Sequence, residues 1–122
     1  MILVDTCVWV DFFKGASRAA MLASHLEKND VAVHPWIIGE LSLGHLGRRR
    51  ARILEDLDRL EKLPVISDSQ VRVMIESHKL RGEGIGWVDA QLLASCMVSQ
   101  VRLWTFDNSF HRICKKLVES DF

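Results

Sequence analysis

Ile2-Leu3-Val4-Asp5-Thr6-Cys7-Val8-Trp9-Val10-Asp11-Phe12-Phe13-Lys14-Gly15 opens the chain, and its reading decides the fold. Ile2 to Val4 is a short apolar run of the kind buried on both faces of a sheet. From Thr6 to Lys14, Val8, Trp9, Phe12 and Phe13 recur at helical spacing, and Gly15 supplies the stop. A strand followed at once by a helix is the opening half of a βαβ unit. The next residues complete it. Ser17 is placed to cap a helix reaching Glu27, Asn29-Asp30 turns the chain, and Val31-Ala32-Val33 reads as a second strand.

The alternation continues to the end of the chain. Pro35 suits the first turn of a helix running to Leu46. After Gly47, the segment from Arg48 to Leu63 carries Ile53, Leu54, Leu57 and Leu60 on one stripe, so these two helices should form a hairpin. Pro64-Val65-Ile66 reads as a third strand, with Ser67 or Asp68 capping a helix whose face holds Val71, Met74, Ile75 and His78. Gly82, Gly84 and Gly86 make a flexible turn. The helix from Trp87 to Gln100 is apolar almost all round and should be central, Val101 to Phe106 is the last strand, and Asn108 to Val118 is a closing helix. The whole pattern predicts a three-layer α/β/α sandwich with a central parallel sheet, in one domain over residues 1–122.

Composition narrows the function classes. The 122 residues hold 16 Lys+Arg against 16 Asp+Glu, which excludes a protein that grips nucleic acid or anionic lipid by bulk positive charge. Cys7, Cys96 and Cys114 form no Cys-x-x-Cys pair, so free thiols in a reducing cytoplasm are expected. No apolar run approaches the roughly 18 residues of a membrane span, and a soluble, cytoplasmic protein with no membrane partner is expected.

In parallel sheets ligands bind beyond the carboxyl ends of the strands, which directs attention to acids placed there. Asp5 directly follows the first strand and Asp107 the last. Asp89 lies in the first turn of the most apolar helix. Glu40 falls between Trp36 and Ile37 on a helical wheel, on a helix with apolar residues on every side, so it is either buried and in need of a partner or simply wet. Each acid alone also reads as a helix cap or a charge near a helix N-terminus. Together, on separate elements that such a sheet brings to one edge, they require a counter-charge. At about 6 Å and an effective dielectric near 20, each like-charged pair costs roughly 3 kcal/mol. An oxygen-only ligand set favours Mg²⁺, with Mn²⁺ as the substitute.

Four fragments carry a family resemblance. They are Val4-Asp5-Thr6 with Val8-Trp9, Ile38-Gly39-Glu40-Leu41, Val88-Asp89-Ala90 with Leu92-Leu93-Ala94, and Thr105-Phe106-Asp107 with Phe110. In order and spacing, and over nearly the whole chain, they resemble the PIN-domain family and, within it, the VapC-type toxins of bacterial toxin–antitoxin pairs. The resemblance implies a Mg²⁺-dependent endoribonuclease in which Asp5, Glu40, Asp89 and Asp107 are the metal-holding catalytic acids, with Thr6 and Thr105 as helper hydroxyls. It also implies an RNA substrate, tRNA among the candidates, a cognate antitoxin that blocks the acidic crevice, and a homodimer. Cys7 departs from the Ser or Asn expected after Asp-Thr, and Asn108 stands where some relatives carry another acid.

RNA contacts would fall to the basic clusters Arg48, Arg49, Arg50 and Arg52, or Arg112, Lys115 and Lys116. The first lies in a segment, 48–62, with six basic and four acidic residues, which equally describes an exposed helix with internal pairs. Trp36 and Trp87 read as core or interface more readily than as base-stacking platforms. Cys7 stands where a haloacid-dehalogenase-type phosphatase needs a second Asp, and no Gly-x-Gly-x-x-Gly or phosphate loop follows the first strand. Glu40 and His45 lie about 140° apart round a helix and cannot share a zinc face. Two alternatives stay open: a PIN-like nuclease of RNA maturation or DNA repair, and a noncatalytic protein-binding module whose acids merely cap helices.

Overall fold

A computed structural model describes residues 1–118. Its four strands, β1 (Ile2–Val4), β2 (Val31–Val33), β3 (Glu61–Lys62) and β4 (Arg102–Trp104), form one all-parallel sheet in the order β3-β2-β1-β4. Seven α-helices accompany them among the described residues: α1 (Thr6–Phe13), α2 (Leu22–Glu27), α3 (Pro35–Ser42), α4 (Arg50–Asp58), α5 (Asp68–Ser77), α6 (Trp87–Ser99) and α7 (Asn108–Leu117). α1, α3 and α4 pack together, while α6 packs against α5 and α7, so the sheet lies between two helical groups in an α/β/α sandwich.

The apolar strand runs become the centre of the core. Ile2, Leu3 and Val4 are fully buried, as are Ala32, Val33 and Leu103. Burial of each large apolar side chain contributes about 1.5–3 kcal/mol, enough to fix which short runs become strands. α6 is buried from Ala90 to Cys96, as an all-round apolar helix must be. Gly15 ends the first helical segment at φ +75°, a left-handed position that costs glycine nothing. Gln100 ends α6 at φ 57° despite carrying a side chain.

Three expectations are corrected. Ser17 does not cap one long helix. Ala16 precedes a 3₁₀ turn over Ser17–Ala19, and α2 starts only at Leu22. The third strand is Glu61–Lys62 rather than Pro64–Ile66, because the parallel ladder ends where Leu63 N–H donates to Val33 O at 2.9 Å and Pro64 has no N–H to continue it. Pro64–Ile66 instead bonds to side chains of α6. Gln91 clasps the Ile66 peptide at both ends, accepting from its N–H at 2.7 Å and donating to its C=O at 2.9 Å. The Ser95 hydroxyl donates to Pro64 O at 2.7 Å. The last strand is also shorter than expected, ending at Trp104, which frees Thr105, Phe106 and Asp107 for a loop. Ser67 does cap α5, accepting from Gln70 N–H.

Candidate metal centre

The strand order creates the site. β1 is flanked by β2 and β4, so the chain's crossovers leave β1 in opposite directions and open a crevice at the carboxyl ends of β1 and β4. Val4 pairs with Trp104, and Asp5 N–H donates to Trp104 O at 2.9 Å, which puts Asp5 and the Thr105–Asp107 loop side by side.

Asp5 is buried and held from two sides. Its Oδ1 accepts from Thr6 N–H at 2.8 Å as the cap of α1, and its Oδ2 accepts from the Thr105 hydroxyl at 2.8 Å. Thr105 Oγ1 in turn accepts from Asp107 N–H at 3.1 Å, so one hydroxyl links the acids after β1 and β4. Asp107 caps α7, accepting from Phe110 N–H at 3.0 Å. Capping and site placement therefore coincide at both residues.

Glu40 is exposed on the outer part of α3, which settles its surroundings as wet rather than apolar. The Thr6 hydroxyl donates to its Oε1 at 2.6 Å and ties it to the start of α1. Asp89, half-buried at the start of α6, accepts from Gly86 N–H at 3.2 Å. Burial raises the Asp89 pKa most. The Gly86 N–H opposes that rise, and the negative charges of Asp5, Asp107 and Glu40 add to it, which places all four acids within electrostatic reach. None of the four belongs to an ion pair among the described residues.

This donor set suits a hard divalent cation. It contains carboxylate and hydroxyl oxygens, carries excess negative charge, and has no histidine. Among the described residues, no three His, Cys, Asp or Glu side chains are arranged to hold an ion unaided. Mg²⁺ does not require that, because it binds through one or two carboxylates and keeps several waters.

Cys7 lies inside this network. Its Sγ accepts from Phe106 N–H at 3.4 Å and stands 3.7 Å from Asp5 Oδ2. Burial raises its thiol pKa, so it remains a neutral thiol that props the loop. Sequence reasoning missed a second prop. Arg18 pairs with Asp11 and sets its guanidinium 4.1 Å from the centre of the Phe106 ring. Contact between the 3₁₀ turn and the loop after β4 leaves no local signal in the sequence.

The basic candidates scatter. Arg48 and Arg49 are exposed beside α3's end, Arg50 donates to the Ser42 and Gly44 carbonyls, and Arg52 pairs with Asp56 at 3.2 Å. Arg112, Lys115 and Lys116 are exposed on α7, five to nine residues beyond Asp107 and hence roughly 8–14 Å along that helix. Trp36 is half-buried, and Trp87 is 43% exposed, so it is no core residue. No helix of the described residues is long and apolar enough to cross a membrane.

Comparison with known proteins agrees with this fold. Residues 2–116 match the family described as PIN domain. The chain is 37% identical over 115 residues to proteins named Ribonuclease VapC32 from two Mycobacterium tuberculosis strains, CDC 1551 / Oshkosh and H37Rv, covering 93% of this chain and 90% of each relative. With its acids gathered at the crevice between β1 and β4, this chain belongs to the PIN-domain family, and within it to the VapC type.

Proposed function

We propose that the chain is a metal-dependent endoribonuclease, the toxin of a toxin–antitoxin pair, using Mg²⁺ or Mn²⁺ held by Asp5, Glu40, Asp89 and Asp107. The observation that carries this reading is that Asp5, Asp107 and Glu40 all lie within electrostatic reach of Asp89, with none of the four in an ion pair among the described residues. Such a cluster repels a phosphodiester, which is itself an anion. It becomes a binding site for RNA only with a cation in it. The name Ribonuclease VapC32, borne by relatives at 37% identity, points to RNA as the polymer.

The side chains divide the work. Thr105 fixes Asp5 relative to Asp107, and Thr6 fixes Glu40 relative to Asp5, so the two hydroxyls set the spacing of the carboxylates. Burial, with the neighbouring acids adding to it, raises the Asp89 pKa, so Asp89 holds a proton more readily than an exposed carboxylate while no counter-charge is present. A divalent cation bound there lowers the pKa of its water and stabilises charge on the phosphoryl and leaving oxygens. Arg48 and Arg49 are the cations free to meet the RNA backbone nearest α3, while Arg112, Lys115 and Lys116 offer a second track. For partners, the family reading is a cognate antitoxin that offers a basic side chain to the four acids, and a second copy of the chain.

Incubating the purified protein with total RNA and with tRNA, in Mg²⁺, Mn²⁺ or EDTA, tests the reading. Cleavage should appear only with metal, and Asp5→Asn should lower it by at least about 100-fold while the protein stays folded. Cutting that persists in EDTA or in Asp5→Asn would refute the assignment.

A further inference from the structure

A cavity of about 470 Å³ opens beside the acids and takes one of them, Glu40, together with the Thr6 side chain bonded to it, as wall. Its apolar part comes from Val10 and Phe13 of α1 with Leu41 and Leu46. The exposed side chains of Lys14 and His45 complete it, and neither is in an ion pair among the described residues. Gly47, which also lines it, leads directly into Arg48 and Arg49. The far wall is held in place by Arg50, which donates to Gly44 O at 3.2 Å.

We infer that this cavity is a base-binding subsite, receiving one unpaired nucleobase of the RNA next to the phosphate being cut. The inference rests on the nuclease reading and adds to it the determinant of sequence preference. The walls match a nucleotide's chemistry. Val10, Phe13, Leu41 and Leu46 offer a flat base its apolar contact, Lys14 offers positive charge, His45 offers a hydrogen-bonding ring, and the arginine run continues the cationic track for the backbone. The volume falls within the range of small-molecule pockets. The contrast with a second groove supports this occupant. That groove, about 180 Å³ between Trp9, Phe12, Leu26, Ile53 and Leu60, is nearly all apolar, the surface an amphipathic protein segment would choose. The cavity beside Glu40, with Lys14 in its wall and Arg48 and Arg49 following Gly47 at its edge, fits a polyanion carrying an aromatic ring.

The test separates this inference from the nuclease reading. Nucleoside 5′-monophosphates with each of the four bases, and ribose 5-phosphate as the base-free control, are titrated into the wild-type protein in Mg²⁺; none of these ligands contains a phosphodiester to cut. Amide resonances of Gly44, His45 and Gly47 are followed by NMR. The expected result is saturable shifts at those three amides, with at least tenfold difference in affinity between best and worst base and none for ribose 5-phosphate. Gly44→Phe fills the cavity at a position with ordinary backbone geometry, where an added Cβ meets only Leu41 O at 3.5 Å. With native resonances elsewhere, it should weaken nucleotide binding at least tenfold. Should Gly44→Phe not fold, Lys14→Ala with His45→Ala should weaken binding at least threefold. Shifts that ribose 5-phosphate reproduces, or nucleotides that leave these amides unmoved, overturn the inference and leave a protein segment as the occupant. Metal-dependent RNA cleavage measured in parallel on the wild type reports on the nuclease reading alone.

Discussion

α6 carries polar side chains to two regions that treat them in opposite ways. Gln91 and Ser95 are buried, neutral and fully engaged, closing hydrogen bonds onto the Pro64–Ile66 backbone. Asp89, about 200° round the helix from Gln91, faces three other acids with no cation among them. A buried polar group whose partners are complete gives a unique fold. Asp5, Asp89 and Asp107 each cap a helix, but capping does not require like charges to be brought together, and their gathering is explained by what they bind. The two sides of one helix thus separate structure from chemistry, and mutation should pull them apart.

The largest expected effects are a crossed pair. Asp5→Asn should cost at least about 100-fold in metal-dependent RNA cleavage and less than about 1 kcal/mol in urea unfolding, since one acceptor stays for Thr6 N–H. Gln91→Ala should do the reverse, costing about 2–4 kcal/mol by stranding both the N–H and C=O of Ile66 in the interior, with cleavage per folded molecule unchanged. Equal loss of both properties in either variant would break the division.

Next in size is Thr6→Val, which keeps shape and removes the hydroxyl that orients Glu40. Cleavage or Mn²⁺ affinity should fall about tenfold with little change in unfolding. Wild-type values in this variant would show that Glu40 needs no positioning.

Acidification acts on the two regions with opposite signs. His34 is fully buried as the cap of α3, accepting from Trp36 N–H, and burial holds its pKa below the usual value, with Gln91 and the Pro64 backbone opposing. Its stability contribution is complete above about pH 6.5 and declines as pH falls from there towards the lowered folded pKa, by at most about 1.4 kcal/mol per pH unit. Asp89, its pKa raised, is relieved of repulsion as pH falls through that raised value towards the ordinary carboxylate range. Urea unfolding from pH 7.5 to 5.5 should therefore lose stability in wild type and less in His34→Gln. Identical slopes would remove His34 from the account. The smallest effect belongs to Arg52→Ala, whose exposed pair with Asp56 should contribute less than about 0.5 kcal/mol.

Much of this was legible because it rests on local pattern. Ile2–Val4 and Val31–Val33 are strands, α6 is central, and Asp5 and Asp107 come after strands that the sheet order makes neighbours, a condition the alternation alone left open. What escaped depends on distant partners. Pro64–Ile66 has strand-like composition, yet its hydrogen bonds are taken by Gln91 and Ser95, some 25 to 31 residues away. A helical wheel places Glu40 among apolar neighbours but cannot say that its side of α3 is uncovered. The clamp of Arg18 on Phe106 is likewise invisible until the 3₁₀ turn meets the loop after β4.

The most direct test of the central claim is calorimetric titration of Mg²⁺ and Mn²⁺ into the wild type and into Asp89→Asn, with thermal unfolding measured at each endpoint. The account predicts saturable binding to the wild type and a stabilisation approaching about 2.7 kcal/mol at a hundredfold excess over Kd, both lost in Asp89→Asn. A wild type that binds neither ion, or a variant that binds as well, would contradict it.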